Sequence, residues 1–236
     1  MAEGIESGRT KVESANQHSG KSYIPPKSKG TKKLFNNPVL EKLSRTHISI
    51  PLTIFVLYSV SLLYWSVTHT TLTPGATVGL FLLGFFSFTL VEYLLHRYVY
   101  HLSTHTEWRK KFQYSAHGVH HEFPKDKDRL AMPPLLSITL ATILLLLFRL
   151  VMGDFTFAFL PGFLVGYAYY LAVHYVVHIF QPPKNFLRAL WVNHSIHHYK
   201  DGDTVFGVSS PLWDYVFGTM RRKTKVSDNN NQATTS

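Results

Sequence analysis

Four apolar stretches, Ile48–Ser66, Thr77–Leu95, Pro133–Val151 and Phe155–Val173, each approach the about 20 residues that a helix needs to cross a bilayer. Inside hydrocarbon the backbone must satisfy its own hydrogen bonds, which leaves helices or a closed barrel. No stretch of the chain shows strand-like alternation. The predicted fold is therefore an all-α integral membrane protein, with four transmembrane helices in two hairpins.

The charges predict the orientation. The net charge is +10, carried by 24 Lys and Arg residues. Nine precede the first stretch, seven lie between the second and third, and seven follow the fourth, while Arg149 sits near the end of the third. The connections from Val67 to Ala76 and from Met152 to Asp154 contain none. The positive-inside rule then places both termini in the cytosol and both short connections outside. Basicity of this kind is topological, and no nucleic-acid partner is predicted. The chain has no cysteine, which excludes disulfides, thiolate metal sites, cysteine-ligated iron–sulfur clusters and thiol nucleophiles.

Residues 1–46 read as a polar, basic N-terminal tail, with no apolar core of a signal peptide. Within it, Ile24-Pro25-Pro26 is extended, and the run from Asn37-Pro38 to Leu43 has the pattern of a helix start on the membrane surface. Residues 47–222 form the membrane domain and 223–236 a disordered C-terminal tail. Thr73-Pro74-Gly75 is predicted as a turn and Pro133-Pro134 as a helix opening. Ser209-Ser210-Pro211 predicts a short aromatic helix through Phe217, ended by Gly218.

Ten of the fourteen histidines fall into four groups, each beyond the cytosolic end of an apolar stretch. They are His96 and His101, then His117, His120 and His121, then His174 and His178, and finally His194, His197 and His198. Residues three and four apart share a helix face, so the last three groups can each point one way. The five-residue spacing of His96 and His101 does not fit a regular helix, which predicts that the helix ends or distorts between them. Packed without a cation, these rings would all have to stay neutral and partnered. One zinc uses about four ligands, so ten divide over two ions at four or five each. Imidazole suits iron, zinc or copper, and spacing alone does not select among them. His18, His47, His69 and His105 fit no pattern.

The strings around these groups carry a resemblance. His117-Gly118-Val119-His120-His121 is followed by Pro124, Asp126, Arg129-Leu130 and Met132-Pro133-Pro134. His194-x-x-His197-His198-Tyr199 is followed by Phe206-Gly207-Val208-Ser209-Ser210, Trp213-Asp214 and Val216-Phe217-Gly218-Thr219. Over roughly residues 90–220 the chain resembles the fatty acid hydroxylase/sterol desaturase superfamily of membrane di-iron enzymes, and within it the fatty acid 2-hydroxylases. That resemblance implies that the ten histidines hold two iron ions, with zinc as a substitute in purified protein, in a cytosolic helical cap. It implies O2 as co-substrate and an acyl chain from a bilayer lipid, such as a ceramide, as the group hydroxylated at carbon 2. A setting in the bacterial inner membrane or the endoplasmic reticulum goes with it. Many members carry a fused cytochrome-b5-type domain that residues 1–46 do not match. A separate electron donor, of cytochrome-b5 or ferredoxin type with its reductase, is therefore expected.

Metal-bound histidines usually give their second N–H to an outer partner. Candidates are Glu92, one turn before His96, and Asp201 and Asp203 after His198. Tyr169, Tyr170, Tyr175 and Trp191 are either acyl-groove residues or an interfacial aromatic belt. Two other functions compete: a sterol or carotenoid oxidase on the same scaffold, and a metal transporter. Transport sites belong near the bilayer midplane, and no histidine group lies there.

Overall fold

The computed structural model describes residues 25–103 and 105–221. His18 and most of the two predicted tails lie outside them. The described residues are helical and contain no strand. A short helix α1 (Pro38–Leu43) leads to α2 (Ser49–His69) and α3 (Pro74–Leu94); α4 (Glu107–Gln113) and α5 (Val119–Glu122) follow, then α6 (Pro134–Met152), α7 (Thr156–Ile179), α8 (Arg188–Tyr199) and α9 (Leu212–Val216). Three helical stretches are long and apolar enough to cross a bilayer: Ser49–His69, Pro74–Tyr100 and Lys127–Ile179. The third runs through α6 and α7, which are joined by a 3-10 turn at Gly153–Phe155. Gly153 has φ +57°, a conformation glycine adopts without the Cβ clash, and Arg149 pairs with Asp154 across this turn at 2.9 Å.

Local rules explain most of the ends. Asn37 caps α1 by accepting the Val39 and Leu40 N–H groups at 2.9 and 3.3 Å. Thr73 caps α3 through its hydroxyl, 3.2 Å from the Ala76 N–H, and Pro74 is the first helical residue. Thr73-Pro74-Gly75 is thus a capped helix start and not a free turn, because a proline at that position costs no intrahelical bond. Gly218, at φ +68°, ends the last helix as its sequence predicts.

Helix α7 is the centre of the molecule. Leu160, Leu164 and Leu171 on it are buried against Phe55 of α2 and Phe88 of α3. Its crossing with α3 is closer than side chains would allow. A Cβ on Gly84 would lie 2.0 Å from the Phe159 carbonyl oxygen, and one on Gly162 would lie 1.9 Å from that of Phe81. Lipid tails are as apolar as leucine, so backbone approach and packing, rather than water exclusion, hold such helices together. Helix α2 is tied in by Ser59, whose hydroxyl donates to the Pro161 carbonyl at 3.2 Å. Facing outward are large apolar residues, among them Leu57, Val60, Leu146 and Leu150, as a lipid-facing surface requires.

The segment before α2 is fastened to the end of α5 and to the loop that follows it. Lys27 donates its N–H to the Glu122 carbonyl at 2.7 Å. Glu41 pairs with Arg45 at 3.0 Å and with the almost fully buried Arg129 at 2.5 Å.

Candidate metal centre

Two departures from α-helical geometry set the first histidines. Residues Leu95–Tyr100 form a π-helical turn at the end of α3, and the His101 N–H donates five residues back to the His96 carbonyl at 3.2 Å. This wider turn brings the two rings to 5.1 Å between centroids, which accounts for a spacing that an α-helix could not use. A second π turn, Tyr114–Gly118, precedes α5. Such turns are rare and concentrate at functional sites.

All ten clustered histidines converge, in two groups of five. One contains His96, His101, His117, His121 and His197; the other contains His120, His174, His178, His194 and His198. Within each group the ligand-capable atoms lie within 4.8 Å of one another. The H-x2-H-H strings do not each point at one place. His117 and His121 enter the first group while His120, between them, enters the second. His194 and His198 enter the second while His197 enters the first. The groups adjoin, since the rings of His121 and His198 stack at 4.2 Å. His47 bonds Ser49 at 2.8 Å and His69 stacks on Trp65 at 4.0 Å; with the exposed His105 they stay apart from the centre.

Hydrogen-bond chemistry shows what the rings present inward. The Nδ1 atom of His96 is 2.5 Å from the Phe206 carbonyl and that of His197 is 2.9 Å from the Thr204 carbonyl. A carbonyl only accepts, so Nδ1 carries the hydrogen in both rings and Nε2 is left as a bare lone pair. These and the other Nε2 atoms crowd together. His117 is 3.1 Å from His96 and 3.0 Å from His121, and His197 is 3.0 Å from His101. In the second group His120 is 2.9 Å from His174 and 3.1 Å from His198, and His178 is 2.7 Å from His194. An ion about 2.1 Å from each nitrogen puts opposite donors about 4.2 Å apart, close to the spread observed. Burial, then the neighbouring rings, hold His117, His120, His121, His194 and His198 well below the usual imidazole pKa. The rings stay neutral and keep their lone pairs. The donor set fits two cations.

Glu92 is buried near His96 but does not bond a ring. One oxygen accepts the Val208 and Ser209 N–H groups at 2.8 and 2.9 Å, and the other takes the Ser209 hydroxyl. Asp201 instead caps its own turn, accepting the Asp203 N–H at 3.1 Å. The buried carboxylate that sequence reasoning missed is Asp214, which braces the loop rather than a ring: it accepts the Phe206 and Gly207 N–H groups, both at 2.8 Å, and the Thr219 hydroxyl at 2.7 Å. The carbonyls of Thr204 and Phe206 were equally invisible, since a backbone oxygen leaves no mark on a sequence. Only the Trp213-Asp214 string hinted at this end of the site.

Two cavities meet at the centre. One of about 200 Å³ lies between α2, α3, α6 and α7, is almost wholly apolar, and ends on Glu92 and His96. The other, of about 360 Å³, contains His117, His120, His174 and Arg129. Tyr100, Met132, Tyr167 and Tyr170 line both. Of the aromatic candidates only Tyr170 faces these spaces; Tyr169 is exposed and packs on Phe85.

Fold and site together define a helical membrane protein that carries a paired all-histidine centre at one end of its long helices. The chain belongs to the fatty acid hydroxylase family, whose model, described as Fatty acid hydroxylase, matches residues 81–219. It is 36% identical over 195 residues to the ceramide very long chain fatty acid hydroxylase scs7 of Schizosaccharomyces pombe, covering 80% of this chain and 55% of that protein. Identity to the fatty acid 2-hydroxylase of Homo sapiens is 30% over 212 residues, covering 80% and 56%. The solved structure titled full length scs7p, with only its hydroxylase domain visible, superimposes with a TM-score of 0.74 at 33% identity, covering 82% of this chain and 74% of that one. The chain spans about half the length of these curated relatives.

Proposed function

We propose that this protein hydroxylates carbon 2 of a lipid acyl chain, drawing on O2, two electrons and two protons and releasing water. The observation that carries this reading is the apolar cavity that runs between the long helices and ends on His96, joined to a wider space lined by histidines of both groups. The names of the relatives support both the acyl substrate and position 2.

The ten histidines of the two groups would hold two iron ions, five rings to each. Bound iron supplies an oxidant strong enough to break an unactivated C–H bond, which no side-chain acid or base can do. The chain's own residues handle position. Phe55, Phe88 and Leu164 grip the tail and exclude water, and Tyr167 and Tyr170 line the passage into the wider cavity. Arg129 lines that cavity with its charge already paired to Glu41, so it shapes the wall there. Electrons come from a separate carrier protein, of cytochrome-b5 or ferredoxin type. Helices α2, α3, α6 and α7 act as four crossings, with the histidine groups on the cytosolic side. Carbon 2 adjoins the lipid headgroup, so on this topology the reacting carbon reaches the centre without leaving the interface.

Two experiments test this. Membranes containing the protein, a reductase and its carrier are supplied with ¹⁸O2, and acyl products are resolved by mass spectrometry. A 2-hydroxy acyl chain carrying ¹⁸O is expected; a mid-chain double bond, a sterol product or oxygen from water refutes the assignment. For topology, the cysteine-free sequence allows a single reporter. Thr71→Cys should react with an impermeant maleimide from outside the cell, and tags at either terminus should be protected. Labelling from the cytosolic side alone refutes the four crossings.

A further inference from the structure

The two histidine groups are supported differently. The first is clamped. His96 and His197 give their Nδ1 hydrogens to the carbonyls of Phe206 and Thr204, and those carbonyls flank Val205. Val205 has φ +58° and is the one described residue other than glycine with positive φ. A β-branched residue in that region is strained and persists only where its surroundings over-determine it. Here they do. The Val205 N–H donates to the Thr219 carbonyl at 3.0 Å, Asp214 takes the next two N–H groups, and Glu92 takes the two after those. Four consecutive N–H groups, Phe206 to Ser209, therefore end on two buried carboxylates. A Cβ on Gly207 would meet the Asp214 carboxylate at 2.7 Å, so the strand of loop is wedged as well as bonded.

The second group has no such clamp. The Nδ1 atoms of His120, His194 and His198 are buried without a bond to the protein, while His174 faces the carbonyl of Leu130. A polar cavity of about 410 Å³, with Lys125, Gln181, Trp191 and Ser195 in its wall, reaches His178 and His194. No ring of the first group lines it. Each group has one half-buried ring, His101 or His178, so exposure of a ring does not separate them. The clamp and the cavity do.

We propose that the two metal positions are unequal: the ion among His96, His101, His117, His121 and His197 is locked by the Thr204–Ser209 loop, and the ion at His178 and His194 exchanges first, through the polar cavity. Asp214 is the positioning residue of this lock. The inference rests on the reading of both groups as metal sites. Outer partners of metal-bound histidine commonly change metal affinity by about 10–100-fold, which sets the size of the effect.

The purified, metal-loaded full chain is mixed with excess EDTA, and protein-bound metal is followed by elemental analysis. Release is expected in two phases of one equivalent each, about tenfold or more apart in rate. Asp214→Asn should speed the slow phase by about tenfold and leave the fast phase alone. Ser209→Ala, which removes a single hydroxyl from the clamp, shifts the slow phase the same way by less and carries the test if Asp214→Asn does not fold. His178→Ala should delete the fast equivalent and spare the slow one. A single phase of two equivalents overturns the inference. So does an Asp214→Asn protein in which both phases accelerate together, since that is general loosening, or loss of the slow equivalent in His178→Ala. A chain that never holds two equivalents overturns the di-metal reading beneath it, which makes the two failures distinguishable.

Discussion

Alanine at His120 or at His197 is expected to reduce the proposed acyl hydroxylation by about a thousandfold or more, since residues that act as a unit fail together. Each ring belongs to a different group, so the pair also separates two explanations. If each group holds an ion, either variant lowers bound metal, and neither restores activity when combined with excess metal at neutral pH. The rings are buried, so alanine also leaves a void; glutamine fills much of it without supplying the imidazole and serves as the control for packing. Activity and metal content are measured on the same preparation. Full metal content in inactive His120→Ala would sink His120 as a ligand, and wild-type activity in either variant would sink the centre as the seat of chemistry.

The second large effect concerns the crossing of α3 and α7. Gly162→Leu should prevent assembly of the helical core, and Gly162→Ala should destabilise it by about 3 kcal/mol or more, the upper range for overpacking. The reason is that the nearest atoms, at 1.9 and 2.7 Å from the added Cβ, are the backbone of Phe81 and cannot swing aside. Gly79 is the internal control. It lies on the same helix as Phe81 with nothing within 4 Å of an added Cβ, so Gly79→Ala should stabilise the helix by about 0.5–1 kcal/mol. Thermal unfolding in detergent, read by loss of bound metal and by aggregation, checks both. Equal stability of the Gly162→Ala and Gly79→Ala proteins would contradict the close crossing.

Much of this molecule was legible in its sequence because hydropathy and histidine spacing are strong, local signals. The long helices appear where the apolar stretches predict, and the mismatch of His96 and His101 to a 3.6-residue period correctly announced a distorted turn there. What spacing could not show is the partition of His117, His120 and His121. Positions three and four apart lie on one face, yet they diverge by enough for neighbouring rings to serve different centres, and only the folded arrangement of all the histidine-bearing segments decides which. The loop from Thr204 to Ser209 was illegible for another reason. Its work is done by carbonyls and N–H groups, which every residue has, and by a left-handed valine that no propensity would propose. Asp214 stood in plain view beside Trp213, but a lone carboxylate in a short helix gives no hint that it accepts three hydrogen bonds.

The exchange of His120 and His197 between groups has a consequence for biosynthesis. Both sets need rings from the same late segment, His194 to His198, so neither closes before that segment is made. The first set draws on segments 96–101, 117–121 and 194–198, and the second on 117–121, 174–178 and 194–198. A nascent chain whose long helices are already made still lacks rings for both sets until residues 194–198 have followed. The two sets therefore share their last contributor, and any metal held among the rings would act as a clasp on helices already made.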